Sequence, residues 1–292
     1  MKNLLVTMFV ALLMAGCGED EETTKVVEDD TATSAPEPSR EPSPAPAPAP
    51  GTPRPKPRTP PKKVSPAPVN LSTSVFEGKP FAIADLSMDM LWVKPGTFEM
   101  GSPSSEKDRR DSETPHTVTL TEGYWLGKRE VTQAQWEKVM GSNPSRFKGV
   151  NRPVETVTWD DVTSFCEKLT ELESKAGRLP AGMAYQLPTE AQWEYACRAG
   201  TTTAFSFGDV LTAKDANFGR NMGETTDVGK YPANPWGFHD MHGNVWEWTA
   251  DCYGDYSSGA VRDPVGPADG SYRVLRGGSW GSTAFIARSA TR

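Results

Sequence analysis

Fourteen of the chain's 26 prolines lie between Pro36 and Pro68, and that tract constrains the fold more than any other stretch of the 292 residues. Proline locks φ and removes a backbone donor, so no helix interior or central strand can run through it. With the acidic runs Glu19–Glu22 and Glu28–Asp30, the composition offers too little apolar surface to offset backbone ordering. It predicts a disordered acidic and Pro-rich linker over residues 17–86, with Ala45–Pro50 a polyproline spacer rising about 3.1 Å per residue. Arg54, Lys56, Arg58, Lys62 and Lys63 could touch an anionic wall or nucleic acid, but a solvated linker is the simpler reading. Folded structure is therefore expected in residues 87–292, a length that suits one domain. That stretch holds 27 acidic and 22 basic residues, a net of −5, so no nucleic-acid partner is expected. It is rich in Trp, Gly and turn signals and sparse in aliphatics, which predicts an irregular, loop-heavy α+β domain.

The N-terminus adds an address. Lys2 precedes the apolar run Leu4–Ala15, which ends at Leu13-Met14-Ala15-Gly16-Cys17. A run of about a dozen apolar residues is shorter than the roughly 20 that a spanning helix needs. Residues 1–16 read as a lipoprotein signal peptide and Cys17 as the lipidated mature N-terminus. The expected partner is thus a membrane, met through a lipid anchor at the cell envelope. Gly18 in place of Asp after the cysteine favours the outer membrane, by resemblance to sorting in double-membraned bacteria.

Within the domain, Met90–Val93, a Pro95-Gly96 turn and Thr97–Met100 read as two short strands. His116–Thr121 alternates with period two and Tyr124–Leu126 follows Glu122-Gly123, which reads as a hairpin. Thr132 with Gln135, and Thr189 with Gln192, are capping boxes that open helices, running to Met140 and to Gly200. A helix over Asp160–Ala176 is expected to bury Val162, Phe165, Cys166, Leu169 and Leu172, with Gly177 as its stop.

Three motifs stand in order along this domain: Leu187-Pro188-Thr189-Glu190-Ala191-Gln192-Trp193-Glu194-Tyr195-Ala196-Cys197-Arg198, then Gly243-Asn244-Val245-Trp246-Glu247-Trp248, then Arg276-Gly277-Gly278-Ser279-Trp280. On them, the chain from about Leu91 to Arg292 resembles the sulfatase-modifying-factor domain, the fold of formylglycine-generating enzymes. The resemblance implies a C-type-lectin-like arrangement with few regular elements. In that family the chain continues past Arg-Ser-Ala, here Arg288-Ser289-Ala290, into a closing strand with a Gly-Phe-Arg signature. This sequence stops at Arg292, so the expectation is that it is either a fragment or a chain without that closing strand.

The resemblance also implies ligands. A calcium ion would be held by the side chains of Asp240 and Glu247 and the carbonyls of Gly243 and Val245, where hard oxygen donors suit a hard cation. A second calcium would use Asn217 and the carbonyl of Phe218, with Asp227 or Glu224 as the acid. The family's oxidase chemistry uses copper on two thiolates, because soft sulfur favours Cu(I). The first thiolate position is Ser282 here and the second falls at Ala287 or its neighbours, so copper is not expected. Cys166, Cys197 and Cys252 remain; a Cys197–Cys252 disulfide is one option for an exported protein, and Cys166 on an apolar helix face reads as a buried small hydrophobe. Of three histidines, His239 and His242 with Asp240 or Asp251 are a runner-up iron or zinc set.

Three functional readings follow. In the first, a lectin-like scaffold on a lipid-tethered stalk binds a protein or small-molecule ligand through Ser282, Thr283, Phe285, Ile286 and Thr291, a tail that resembles those of variable lipoproteins diversified by retroelements. The second is a formylglycine-generating oxidoreductase acting on a sulfatase cysteine. The third is an enzyme similar to the pyoverdine-maturation proteins, acting on an exported small molecule. A shared fold does not by itself transfer chemistry.

Overall fold

The computed structural model describes residues 78–292, together with the backbone of Val6–Thr7 and Ala11–Leu12. Cys17, its lipidation and the linker up to residue 77 lie outside the described residues. Eleven strands are described: β1 Val6–Thr7, β2 Ala11–Leu12, β3 Phe81–Ile83, β4 Met88–Val93, β5 Gly96–Met100, β6 His116–Leu120, β7 Tyr124–Gly127, β8 Tyr185–Gln186, β9 Trp246–Cys252, β10 Val261–Arg262 and β11 Arg273–Arg276. Three α-helices accompany them: α1 Gln133–Met140, α2 Trp159–Lys175 and α3 Glu190–Arg198. The described elements are short and joined by long irregular stretches, the mixed, loop-rich α+β architecture that the composition predicts.

The strands form three small sheets, ordered β3-β4-β7-β1-β8, β10-β6-β5 and β11-β9-β2. After β1 and β2 the next described strand begins at Phe81, ahead of the boundary drawn at residue 87. Phe81 pairs with Met90 across the β3–β4 ladder and its ring meets Trp125 edge-on at 5.8 Å. β1 lies between β7 and β8 and runs parallel to both. It falls within the segment that reads as a leader, so a chain processed at Cys17 would leave those two inner edges unpaired.

The expected hairpin of β6 with β7 does not form. β6 pairs with β5 and β10, while β7 pairs with β4 and β1. The crossing is built at Thr121–Gly123: the Asp263 carboxylate accepts from Thr121 N–H at 2.7 Å and from its hydroxyl at 2.5 Å. Gly123 passes so close to Trp92 that a Cβ would lie 2.2 Å from the ring. All four residues of β7 are buried, which erases the two-faced alternation of an edge hairpin.

The helices start where their caps require. Thr132 and Gln135 close one capping box and Thr189 and Gln192 another. Thr158 and Asp161 close a third, one residue ahead of the expected start of α2. α2 buries Val162, Phe165, Cys166 and Leu169, but Leu172 is 48% exposed, since the inward position of that turn is taken by Glu173, which is buried and paired with Arg178. Trp136 of α1 stacks on Phe165 at 5.0 Å, joining α1 to α2 over the first sheet. α3 is buried along its whole length, with Trp193, Ala196 and Cys197 against Tyr124, Leu126 and Phe238.

Candidate functional site

β9 reverses the usual sheet pattern. Its inward positions Glu247, Thr249 and Asp251 are polar and buried, while Trp246, Trp248 and Ala250 are half-buried. Buried polar groups must be paired, and much of the site is the means of pairing them.

The tail shows this most fully. Arg276, at the end of β11, has no exposed surface. Its guanidinium donates to Glu194, lies 3.4 Å from Glu190, and donates to the carbonyls of Ser289 at 2.7 Å, Ala290 at 3.0 Å and Thr291 at 2.7 Å. One side chain thus ties the C-terminal segment to α3. Arg198 donates from Nε to the same Glu194 at 2.8 Å and from Nη2 to the Gly101 carbonyl at 2.7 Å. Arg288 grips Glu113 at 2.7 Å and Glu106 at 2.5 Å, fixing the tail to the loop before β6. Burial opposes ionisation of Glu113, but hydrogen bonds from Arg288 and Ser102 hold its carboxyl below the usual range.

Gly277 and Gly278 take φ of +88° and +74°. A Cβ on Gly277 would sit 3.2 Å from Trp193, and one on Gly278 3.2 Å from the Ala287 backbone. The Arg-Gly-Gly frame is therefore explained by packing and backbone conformation.

Ser282 closes a turn. Its Oγ accepts from Ser279 N–H at 3.0 Å and shares a hydrogen bond with Ser279 Oγ at 3.1 Å, and its carbonyl accepts from Gly219 N–H at 2.7 Å. Ala287 is buried and presents only a methyl group. The positions implied for two thiolates thus carry a committed hydroxyl and a hydrocarbon, a donor set that does not fit Cu(I).

Of the expected binding residues, Thr283 and Phe285 are exposed and Ser282 and Ile286 half-buried. Thr291 is not on that surface: it is 1% exposed, because its hydroxyl donates to the Phe285 carbonyl at 3.0 Å and its own carbonyl serves Arg276. Beside Phe285 opens a groove of about 630 Å³ with Phe205, Val210, Leu211 and Ala284 in its wall and Asp108 and Asp209 among its polar residues. Val210 is 72% exposed there.

Cys166, Cys197 and Cys252 are all reduced and buried, so the Cys197–Cys252 option is not taken. Burial pushes the thiols of Cys166 and Cys197 up to about 12. Neither is a nucleophile or a ready soft ligand in that state.

The runner-up histidine set is not assembled. His242 Nδ1 faces the Ala287 carbonyl at 2.8 Å, while Nε2 accepts from Ser206 N–H at 3.1 Å. Both nitrogens are used, the proton is on Nδ1, and burial pulls the imidazole down to about 4. His239 instead meets the Tyr231 carbonyl at 2.9 Å. Asp251 is occupied at the start of α3, accepting from Glu190 N–H at 2.7 Å.

Asp240 and Glu247 do come into one electrostatic neighbourhood, and a third acid, Glu130, joins them. Glu247 Oε2 accepts from Trp193 Nε1 at 2.7 Å, Asp240 Oδ2 from Gly229 N–H at 2.5 Å, and Glu130 Oε2 from Asn244 Nδ2 at 2.7 Å. Glu247 Oε1, Glu130 Oε1 and Asn217 Oδ1 are buried without a hydrogen-bond partner. Burial first, then the neighbouring carboxylates, push Glu130 and Glu247 above the usual range, and burial takes Asp240 up to about 6.

Buried bare oxygens on mutually repelling acids fit a hard cation. Among the described residues no three His, Cys, Asp or Glu side chains converge on one point by themselves, so backbone carbonyls have to complete any cage. Gly243 allows the turn that carries them: at φ +101° it lies where a Cβ would be 2.3 Å from the Asn217 carbonyl. For the second expected ion, Asn217 finds no acid. Glu224 is taken by Arg152 at 2.7 Å, and Asp227 is exposed.

Glu130 is the residue that sequence reasoning missed. Its only signal is an acid placed directly before Val131 and the Thr132 cap, which reads equally well as a solvated charge.

Comparison with known proteins places this architecture. The sulfatase-modifying factor enzyme 1-like domain model matches residues 80–292. Chaperone protein LppX of Paenibacillus barcinonensis is 32% identical over 247 residues, covering 69% of this chain and 82% of that protein. Formylglycine-generating enzyme of Mus musculus is 32% identical over 181 residues, covering 56% of this chain and 44% of the mouse protein. Among solved structures, Treponema denticola variable protein 1 superposes with a TM-score of 0.63 at 30% identity, covering 73% of this chain and 91% of that one. PvdO from Pseudomonas aeruginosa gives a TM-score of 0.64 at 28% identity, covering 74% and 92%. The buried Arg276, the Gly277-Gly278 turn and the carboxylate-lined β9 are thus features of a chain that belongs to the sulfatase-modifying factor enzyme 1-like family.

Proposed function

We propose that this chain is a lipid-anchored binding module of the cell envelope, tethered through Cys17 at the outer membrane. In this reading it recognises a protein or small molecule through Thr283, Phe285 and Ile286 and lacks copper-thiolate oxidase activity. The observation that carries the reading is the tail itself. Ser282 spends its hydroxyl on a turn and Ala287 offers a methyl, while Phe285 stands exposed beside a groove of mixed lining with Phe205, Val210 and Leu211 in its wall. A ligand presenting an apolar group fits that groove. The chaperone name of LppX accords with partner binding.

Calcium, held by Asp240, Glu247 and the carbonyls of Gly243 and Val245, is proposed as a structural ion. It would supply the charge and the oxygen-directed bonds that the buried acids lack.

Screening short peptides and hydrophobic small molecules by NMR on the labelled protein tests the binding reading. Shift changes should cluster at Val210 and Phe285 and vanish in Phe285→Asp. Ligands that bind equally well to that variant contradict it. The alternative is an enzyme, either a formylglycine-generating oxidoreductase or a maturation enzyme acting on an exported small molecule, as the likeness to PvdO allows. Formation of an aldehyde on a cysteine peptide would favour the former.

A further inference from the structure

Arg292 is held in a way that leaves part of its guanidinium unused. Its side chain is 2% exposed, with Nε 2.9 Å from one Glu190 oxygen and Nη2 donating to the other at 3.0 Å. The guanidinium carbon lies 4.0 Å from the centre of the Tyr256 ring and 4.6 Å from that of Tyr253. Rings over the guanidinium leave its in-plane edges for hydrogen bonds, and Glu190 fills one edge. Nη1, outside that edge, is buried with no hydrogen-bond partner among the described residues. A buried charged donor left bare is costly, and the arginine fork is shaped for two parallel bonds to one anion.

Arg292 also lines a cavity of about 500 Å³ that shares no residue with the expected calcium ligands or with the Phe285 groove. Met100, Val261, Val265 and Pro267 give its wall apolar surface. Glu190 and Ala191, in the first turn of α3, bring a helix N-terminus to the same wall, and that end of a helix favours anions. The acids present oppose an anion less than their number implies. Glu190 is already met by Arg276, Arg292 and the Tyr256 hydroxyl. Burial pushes Asp251 up to about 7, so near neutrality its carboxyl is partly protonated and able to donate. Asp255 is exposed, as is Arg262 in the same wall.

We propose that this cavity is a ligand site in its own right, for a small monocarboxylate with an apolar body. The carboxylate takes the end of the Arg292 fork, Nη1 with the outward N–H of Nη2, and the hydrocarbon lies on Met100, Val261 and Val265. Nη1 is closed to solvent, so entry requires the Tyr253 ring, 41% exposed, to swing off the guanidinium. A dianion such as phosphate is disfavoured, because Glu190 and Asp251 stand beside the fork and repel the second charge. The site is separate from the Phe285 groove and from calcium, so its failure leaves both of those readings standing.

The test titrates the full chain, labelled for NMR, with hexanoate, its neutral analogue hexanamide and inorganic phosphate. Hexanoate should shift Met100, Val261 and Val265 and leave Val210 and Phe285 unmoved. It should bind at least about tenfold more tightly than hexanamide, the difference expected for one charge-assisted fork, and more tightly than phosphate. Arg292→Lys keeps the charge and loses the fork; it should weaken hexanoate about tenfold and leave hexanamide unchanged. Val265→Trp, at a wall position 67% exposed, should weaken both ligands without lowering the melting temperature.

Hexanoate and hexanamide binding alike, phosphate binding more tightly than hexanoate, or no hexanoate shift at Met100, Val261 or Val265 overturns the proposal. Shifts confined to Val210 and Phe285 also overturn it while supporting the groove. Should Arg292→Lys fail to fold, Val265→Trp decides in its place: hexanoate affinity within about twofold of the parent refutes the site, and a fall of about tenfold supports it.

Discussion

Arg276→Met should be among the most damaging single changes in the domain. The substitution removes one of the two arginines that pair buried Glu194, the other being Arg198, leaves Glu190 with less compensation, and strips three carbonyls of a donor. Breaking a buried ion pair by deleting one partner costs about 3–5 kcal/mol, and each bared carbonyl about 1–3 kcal/mol. These effects share one relaxing segment and do not add. A loss of at least about 4 kcal/mol is a conservative expectation, against a total stability of about 5–15 kcal/mol. For a domain of roughly 200 residues that lowers the melting temperature by about 8–16 °C. Arg276→Lys keeps the charge without the planar fork and should fall between the two. Urea unfolding followed by tryptophan fluorescence, with an unchanged m-value, gives the number. A loss below about 1 kcal/mol would refute the claim that Arg276 fastens the tail.

Three further outcomes follow. His242 is buried neutral at about 4, below its ordinary 6.5, so the unfolded chain binds the proton first and stability should fall as pH drops from about 6.5 to 4. His242→Gln, which can both donate and accept, should flatten that limb of the unfolding curve; an unchanged slope counts against the assignment. Maleimide labelling of the native protein, mapped by mass spectrometry, should leave Cys166, Cys197 and Cys252 unmodified until denaturant is added, since all three are buried; fast labelling of Cys197 would contradict its packing. Gly277→Ala should destabilise by about 1–3 kcal/mol, because its φ of +88° is strained for any Cβ, and thermal melting reads the loss.

The helices were legible because their signals are local. Thr132 with Gln135 and Thr189 with Gln192 lie three residues apart and each pair closes its own box. Strand existence was legible for the same reason, but partnership was not. The alternation in His116–Leu120 says that one face is buried, and says nothing about whether β5 or β7 lies alongside. Long-range chemistry sets that choice, as when Asp263 ties Thr121 across 142 positions. The tail frame could be found from Arg-Gly-Gly-Ser-Trp, yet the burial of Thr291 depends on Arg276 reaching back to its carbonyl. Glu130 was invisible in the sequence because Asn244, which explains it, is 114 positions away.

The central proposal is that Ser282 and Ala287 give this tail no soft donors with which to grip copper. Titrating the chelator-stripped protein with Cu(I) against a competing colorimetric Cu(I) chelator tests it most directly. The account predicts that the chelator keeps the copper and that the tail segment is unperturbed. One equivalent of copper wrested from the chelator and bound by protein thiols, with oxidation of a cysteine peptide to an aldehyde, would contradict it.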